Sequence, residues 1–349
     1  MAMHREWKTK AILAALALGL ASSARAQTSG SAFLNIPTSP RAYSLGQSNV
    51  AATGAQAIGR NPANAGLVKQ RLELFSSYAT MMGGARFQHV AAVFAPAGLS
   101  VDALGFALTR LQAGGFDGAD SLGNKTGDSF GGGDTAASVT ASALVASSLR
   151  LGATLKVLRS EIGGYKSGAG LAGDFGLTYT LPQFQKPCSL AVSVTNAGQG
   201  VKFLDQRDSL PTSLNMGMAL PLGPVVTVFE INRMIHDKRT EFGLGLEYNL
   251  GPAAFRVGYL AANSGYNPAA NDQKGAAKLL QGMALGMGIN IGPVKVDYAL
   301  SEQAVEFGPT HRLGLTLQWG DAPGKAAKAK KEWKFEDRSD WMIVPMGSY

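Results

Sequence analysis

From residue 72 onward the apolar residues recur at every second position, which places them on one face of an extended strand. Leu190, Val192 and Val194 alternate with Ser189, Ala191, Ser193 and Thr195. Phe242, Leu244, Leu246 and Tyr248 alternate with Gly243, Gly245 and Glu247, as Leu313, Leu315, Leu317 and Trp319 do with Arg312, Gly314, Thr316 and Gln318. No stretch here sustains a helical period. Runs of this kind, bounded by turn signals, predict fourteen strands: 72–80, 87–95, 99–111, 135–147, 150–161, 169–181, 188–196, 213–221, 225–233, 240–250, 254–262, 280–291, 294–301 and 311–320. The fold class expected is all-β, a closed antiparallel transmembrane β-barrel of about fourteen strands, the even count being that of bacterial outer-membrane barrels.

The connections sort by length. Short ones are expected at 96–98, 148–149, 182–187, 222–224, 251–252 and 292–293, and long ones at 112–134, 162–168, 197–212, 234–239, 263–278 and 302–310. Alternation of this kind distinguishes a membrane barrel, with periplasmic turns on one rim and extracellular loops on the other, from a soluble two-sheet sandwich. Outer-membrane lipid is therefore an expected partner of the apolar face.

If that face meets lipid, the opposite face lines the lumen. Its charges are Lys156, Arg256, Lys295 and Arg312 against Asp174, Glu230, Glu247 and Asp297, four of each sign. An ion-selective pore is built from a ring of one sign, whereas balanced charges in a filled interior pair with one another. Glu247 and Arg256 fall nearly opposite across the Gly251-Pro252 turn, within reach of a direct pair. A plugged or narrow barrel is expected.

Residues 27–71 do not alternate. Ser39-Pro40, Gly46, Gly54, Gly59, Asn61-Pro62 and Gly66 punctuate a stretch of small and apolar residues whose length and position suit a hatch folded into the lumen. Ahead of it, residues 1–26 have the form of a signal peptide: cations Arg5, Lys8 and Lys10, the apolar run AILAALALGLA, and Ala24-Arg25-Ala26 as a cleavage site.

Composition then limits the partners. The 349 residues include 44 Gly, only 16% charged residues and a net charge of +8. Removal of residues 1–26 takes four cations and one acid, leaving +5 spread over the remainder, which is no nucleic-acid signal. A single cysteine, Cys188, excludes an intramolecular disulfide and a thiolate zinc cluster.

Enzymatic signals fail on context. Residues 168–173 spell G-x-G-x-x-G and 174–176 spell D-F-G, but both sit inside a predicted strand with no strand-to-helix turn. No G-x-S-x-G is present, and His89, His236 and His311 lie on separate segments. No catalytic, metal or cofactor site is expected, and small residues in strands mark close approaches instead.

The run from Ser31 to Tyr78, SAFLNIPTSPRAYSLGQSNVAATGAQAIGRNPANAGLVKQRLELFSSY, resembles the N-terminal signature of the PorV/PorQ family, part of the wider FadL-like barrels. Arg60, Asn61, Pro62 and Ala63, followed by Gly66, resemble that family's NPAGL hatch motif, with Asn64-Ala65 inserted. AGDFGLTYTL, VTNAGQGVKF, SLPTSLNMGMAL, FGLGLEYNLGPAAFRVGYL, VKVDYAL and THRLGLTLQWG extend the resemblance in order to residue 320. It implies a fourteen-stranded barrel at 72–320 behind an N-terminal hatch at 27–71. For PorV-like members it implies a part in type IX secretion, with the translocon and secreted cargo proteins as partners of the outer loops. The alternative from the same superfamily is a channel for a hydrophobic ligand, in which the hatch moves and a lateral gap in the wall passes solute. The chain departs from the family in its tail, 321–349, where a basic run is followed by acidic residues interleaved with aromatics. That tail is expected in the periplasm.

Overall fold

The computed structural model describes residues 29–262, 282–302 and 309–321, apart from 120, 121, 123, 183–186, 204 and 205. The segments read as signal peptide (1–26), as the 263–278 loop and, beyond Asp321, as the periplasmic tail lie outside the described residues. Fourteen long strands run antiparallel in chain order: β1 Gln70–Thr80, β2 Arg86–Phe94, β3 Ala103–Ala119, β4 Lys125–Ala146, β5 Leu149–Ile162, β6 Gly170–Leu181, β7 Cys188–Gln199, β8 Ser213–Leu222, β9 Val225–Met234, β10 Arg239–Leu250, β11 Ala253–Ala262, β12 Met283–Ile291, β13 Val294–Glu302 and β14 Pro309–Asp321. Each pairs with its neighbours in sequence, and β1 pairs with β14 from Leu72↔Trp319 to Thr80↔His311. That last ladder closes the sheet and removes its edges. A two-residue strand at Tyr165–Lys166 folds back on the end of β5, and 202–203 pairs with 206–207 as a short ribbon.

The period-2 pattern is the pattern of burial. In β1 Phe75 and Ala79 are buried while Leu74 and Tyr78 are exposed, and in β14 Arg312 and Thr316 are buried while Leu313 and Leu315 are exposed. Large apolar side chains thus form an outward band, including Phe106, Leu155, Phe175, Leu244 and Leu285, that only hydrocarbon can cover favourably. No helix among the described residues is long and apolar enough to cross a membrane.

The largest departure from the expected boundaries is at β3 and β4. Residues 112–134, read as a loop, continue the two strands, with register to Ala119↔Lys125 interrupted by shifts after Ala113 and Asp117. Beyond the bilayer both faces of a hairpin meet water, so no apolar alternation marks it. At its other end β3 begins at Ala103 rather than 99, Asp102 Oδ2 instead accepting from Leu144 N and from Arg150. Likewise β1 begins at Gln70 and β7 runs on to Gln199.

The N-terminal segment, 29–69, occupies the interior. It is built of tight turns: 3-10 turns at Ala32–Asn35, Asn49–Ala51, Gly54–Ala57 and Pro62–Leu67, and one helical turn, α1, at Pro40–Tyr43. Ser39 caps α1 by accepting from Ala42 N at 3.3 Å, and Pro40 occupies the first position, where its missing N–H leaves nothing unbonded. Apolar clusters form where this segment meets the wall. Ala55, Ile58, Ala65 and Val68 pack with Phe75, Ala91 and Val93; Phe33 and Leu34 with Leu158, Val201 and Leu210; Leu45 and Val50 with Ala191 and Val228. The core lies between the segment and the inner wall.

Candidate functional site

Five charged groups form a continuous ladder on the inner wall. Arg41, from α1, holds Glu247 of β10 with both prongs, Nε to Oε2 at 2.7 Å and Nη2 to Oε1 at 2.9 Å. Arg256 of β11, the register partner of Glu247, donates Nε to the same Oε2 at 2.6 Å and reaches Asp297 of β13 at 2.8 Å. Lys295 lies 3.5 Å from the second oxygen of Asp297. A third strand stands between β11 and β13, but its residue at this level is Gly288, which leaves room for the Arg256–Asp297 contact. Glu247, Arg256 and Asp297 are buried, so each charge depends on its neighbours for solvation.

The other lumen charges stand apart from this ladder. Lys156 of β5 bonds Asp174 of β6 at 2.8 Å and Asn196 Oδ1 at 2.7 Å. Asn196 takes a left-handed φ of 58° at a bulge in β7, and its N–H donates to Asp174 at 2.8 Å. Glu230 of β9 accepts from Ser48 Oγ at 2.9 Å and Val50 N at 3.0 Å. Arg312 of β14 donates to Pro37 O at 2.7 Å and lies over the Tyr43 ring at 4.0 Å. Of the eight charges named from the sequence, seven are buried in these four groups, and Lys295 is partly exposed at the end of the ladder.

The Arg60-to-Gly66 motif sits against β4, β5 and β6. Asn61 caps the Pro62–Leu67 turn, accepting from Ala63 N at 3.1 Å, and donates to Thr178 Oγ1 of β6 at 3.2 Å. Thr178 donates in turn to Asn64 Oδ1 at 2.7 Å, and Asn64 Nδ2 bonds Ala52 O at 3.0 Å. Ser142 of β4 donates to Ala63 O at 2.9 Å, and Arg60 donates to Asn35 O at 2.6 Å. Burial pushes the Arg60 guanidinium down to about 10, against the pull of Glu230, so it remains charged at neutral pH.

Glycines admit the motif this close. A Cβ at Gly152 of β5 would strike the backbone of Pro62 and Ala63, and one at Gly176 of β6 would lie 3.1 Å from Asn61 Cγ and 2.9 Å from Pro62 Cδ. Across the lumen Gly245 and Gly258 similarly seat Leu45 and Gly46.

Sequence reasoning missed Arg41, the one partner from outside the wall in the charge ladder. It missed Glu73, which accepts from Ala55 N at 2.7 Å and Gln318 at 2.6 Å, and Gln56, which donates to Thr316 at 3.1 Å. Asn64, which looked like an insertion in the motif, is fully buried and bridges wall to segment. Its available signal was an amide in an otherwise apolar run. His89 is buried on the inner face and His311 exposed on the outer one, bonded to Thr109 at 2.8 Å and Tyr298 at 2.6 Å.

No family model and no curated relative matches the chain. Solved structures do. The Pseudomonas putida toluene transporter TodX is 13% identical, with 79% of this chain and 96% of that one covered at a TM-score of 0.54. The Ralstonia pickettii toluene transporter TbuX is 14% identical over 80% and 98%, at 0.52. A Pseudomonas aeruginosa FadL homologue is 11% identical over 81% and 98%, at 0.53. At such identities the likeness establishes the fold: a closed barrel of the kind found among Gram-negative outer-membrane channels. The particular kinship with PorV/PorQ proteins has no counterpart among these neighbours.

Proposed function

We propose that the protein is a non-enzymatic outer-membrane channel for hydrophobic small molecules, with residues 29–69 as the hatch that moves to pass solute. The observation that carries this reading is how the segment is held. It crosses the lumen on polar bonds and small apolar clusters, touching β1, β4, β6, β9, β10 and β14 through single side chains rather than joining the sheet. A segment with no strand pairing to the wall can shift without breaking the barrel. The names of the solved neighbours, transporters of toluene among them, support a hydrophobic solute. The PorV/PorQ reading, a secretion barrel that binds cargo and translocon through its outer loops, rests on the ordered motif series alone and ranks second. Export by residues 1–26 and a periplasmic tail at 321–349 belong to both readings.

The geometry at Gly176 supplies the test. With Cys at 61 and 176, the new Cβ at 176 lies about where a disulfide to residue 61 needs it. Gram-negative cells carrying N61C/G176C in their outer membrane, whose lipopolysaccharide leaflet slows the passage of apolar solutes, are expected to take up toluene quickly when reduced and to fall to the rate of cells lacking the protein when oxidised, with recovery on adding reductant. Equally quick uptake in both states refutes a moving hatch, and uptake at the rate of cells lacking the protein in both, with wild type no faster, refutes the channel.

A further inference from the structure

The outward face changes character abruptly at the long-loop end of β3, β4 and β5. Register places Phe106, Val139 and Leu155 in one transverse row and Leu108, Ala137 and Val157 in the next. One step further out, about 7 Å along the strands, the row is Arg110, Thr135 and Arg159. Two guanidiniums on alternate strands, roughly 10 Å apart at their Cα atoms, thus flank a threonine directly above a greasy band.

Among the described residues, only Thr135 stands between them in this row. Beyond Thr135 comes Asp134, whose carboxylate is held by Ser160 and does not line the space, and then Gly133, Gly132 and Gly131, where a cavity of about 700 Å³ opens, lined also by Lys166 and Glu161. Glu161 is the register partner of Lys166, so the cavity holds three cations and one acid. Arg110, Arg159 and Lys166 are exposed and enter no ion pair among the described residues. The corresponding outward position of β9 is Arg233, and that side chain is engaged by Thr240 Oγ1 at 2.7 Å and Lys238 O at 3.1 Å.

Below the cationic cavity, and sharing Ala137 and Val157 with it, lies an apolar concavity of about 1390 Å³ on the same outer wall. Phe106, Leu108, Val139, Leu155, Leu171 and Phe175 line it, all exposed. The concavity spans β14 to β7, wide enough for more than one acyl chain. An amphiphile with a dianionic head and several chains matches both parts at once.

We propose that the outer wall of β3 to β5 binds a phosphate-bearing, multiply acylated lipid of the outer leaflet, with Arg110 and Arg159 on the phosphate and the acyl chains in the apolar concavity. Paired arginines suit the task because each presents a planar fork that meets two phosphate oxygens. The long-loop rim is the extracellular one in such barrels, which puts the head at the outer-leaflet surface. This site is independent of the channel reading, since it uses neither the lumen nor residues 29–69.

The test is native mass spectrometry of the full chain folded in detergent, titrated with lipid A, with dephosphorylated lipid A, or with inorganic phosphate. Lipid A is expected to bind, and R110Q/R159Q to weaken it about tenfold or more. R233Q, on the opposite wall, is expected to leave binding unchanged. Equal binding by the double variant, equal weakening by R233Q, or equal binding of the dephosphorylated lipid overturns the proposal. So does inorganic phosphate occupying the site as readily as the lipid. Heat-modified gel mobility reports folding of each variant, and R110Q and R159Q singly, each expected to give a smaller loss, serve if the double variant does not fold.

Discussion

The N-terminal segment meets the barrel in two ways. Its first half, 37–56, is held against β1 and β8 to β14 largely by charge, with Leu45 and Gly46 on glycine seats of their own: Arg41 on the Glu247–Arg256–Asp297 ladder, Ser48 and Val50 on Glu230, Ala55 on Glu73, and Pro37 and Tyr43 on Arg312. Its second half, 58–67, is seated against β2 to β6 by shape and neutral amides: Ile58 over Gly105, Pro62 over Gly152 and Gly176, and Asn61 and Asn64 on Thr178. The contrast shows two ways of holding a segment inside a barrel. A buried ion pair is strong only while complete, because removing one member strands the other without water. A glycine seat tolerates loss of a bond but not gain of a methyl, because close-packed atoms have nowhere to go.

These halves should respond differently to mutation. The largest effect is expected from Glu247→Ala, which leaves Arg41 and Arg256 facing each other and should destabilise by about 3–5 kcal/mol. Thermal unfolding followed by circular dichroism reads it, and a loss no greater than that of an exposed glutamate breaks the comparison. Gly176→Val should come next, at about 1–3 kcal/mol of overpacking. Because the strain falls on Asn61 and Pro62 rather than on the sheet, its clearer sign is faster proteolysis within 58–67 than within 37–56. Equal cleavage of both halves shows that they move as one body. The smallest effect is expected from Asn61→Ala, about 1 kcal/mol for the lost cap, with little change in single-channel conductance. Glu247→Ala is expected to raise conductance, and an equal rise with Asn61→Ala breaks the comparison by showing that the neutral half holds the segment as firmly.

The wall was legible along the chain and its filling only in part. Period-2 alternation exists because lipid lies on one side and the lumen on the other, so fourteen strands and the seven buried charges could be read off residue by residue. The β3–β4 extension was lost for the converse reason, water lying on both sides of it. Glu247 with Arg256 was readable across a two-residue turn. Arg41 with Glu247 was not, since 206 positions separate them and no local pattern connects α1 to β10.

The order of apolar and polar side chains alone therefore settles that the chain makes strands, which face of each meets hydrocarbon, and which charges turn inward, because these follow from a two-residue repeat and the solvent on either side. The register in which β1 closes on β14, the glycines that become seats for Pro62 and Leu45, and the choice of Arg41 as the ladder's fifth member were decided only when the chain folded. Those contacts join distant positions, and their energy depends on shape and on exclusion of water that no single segment possesses.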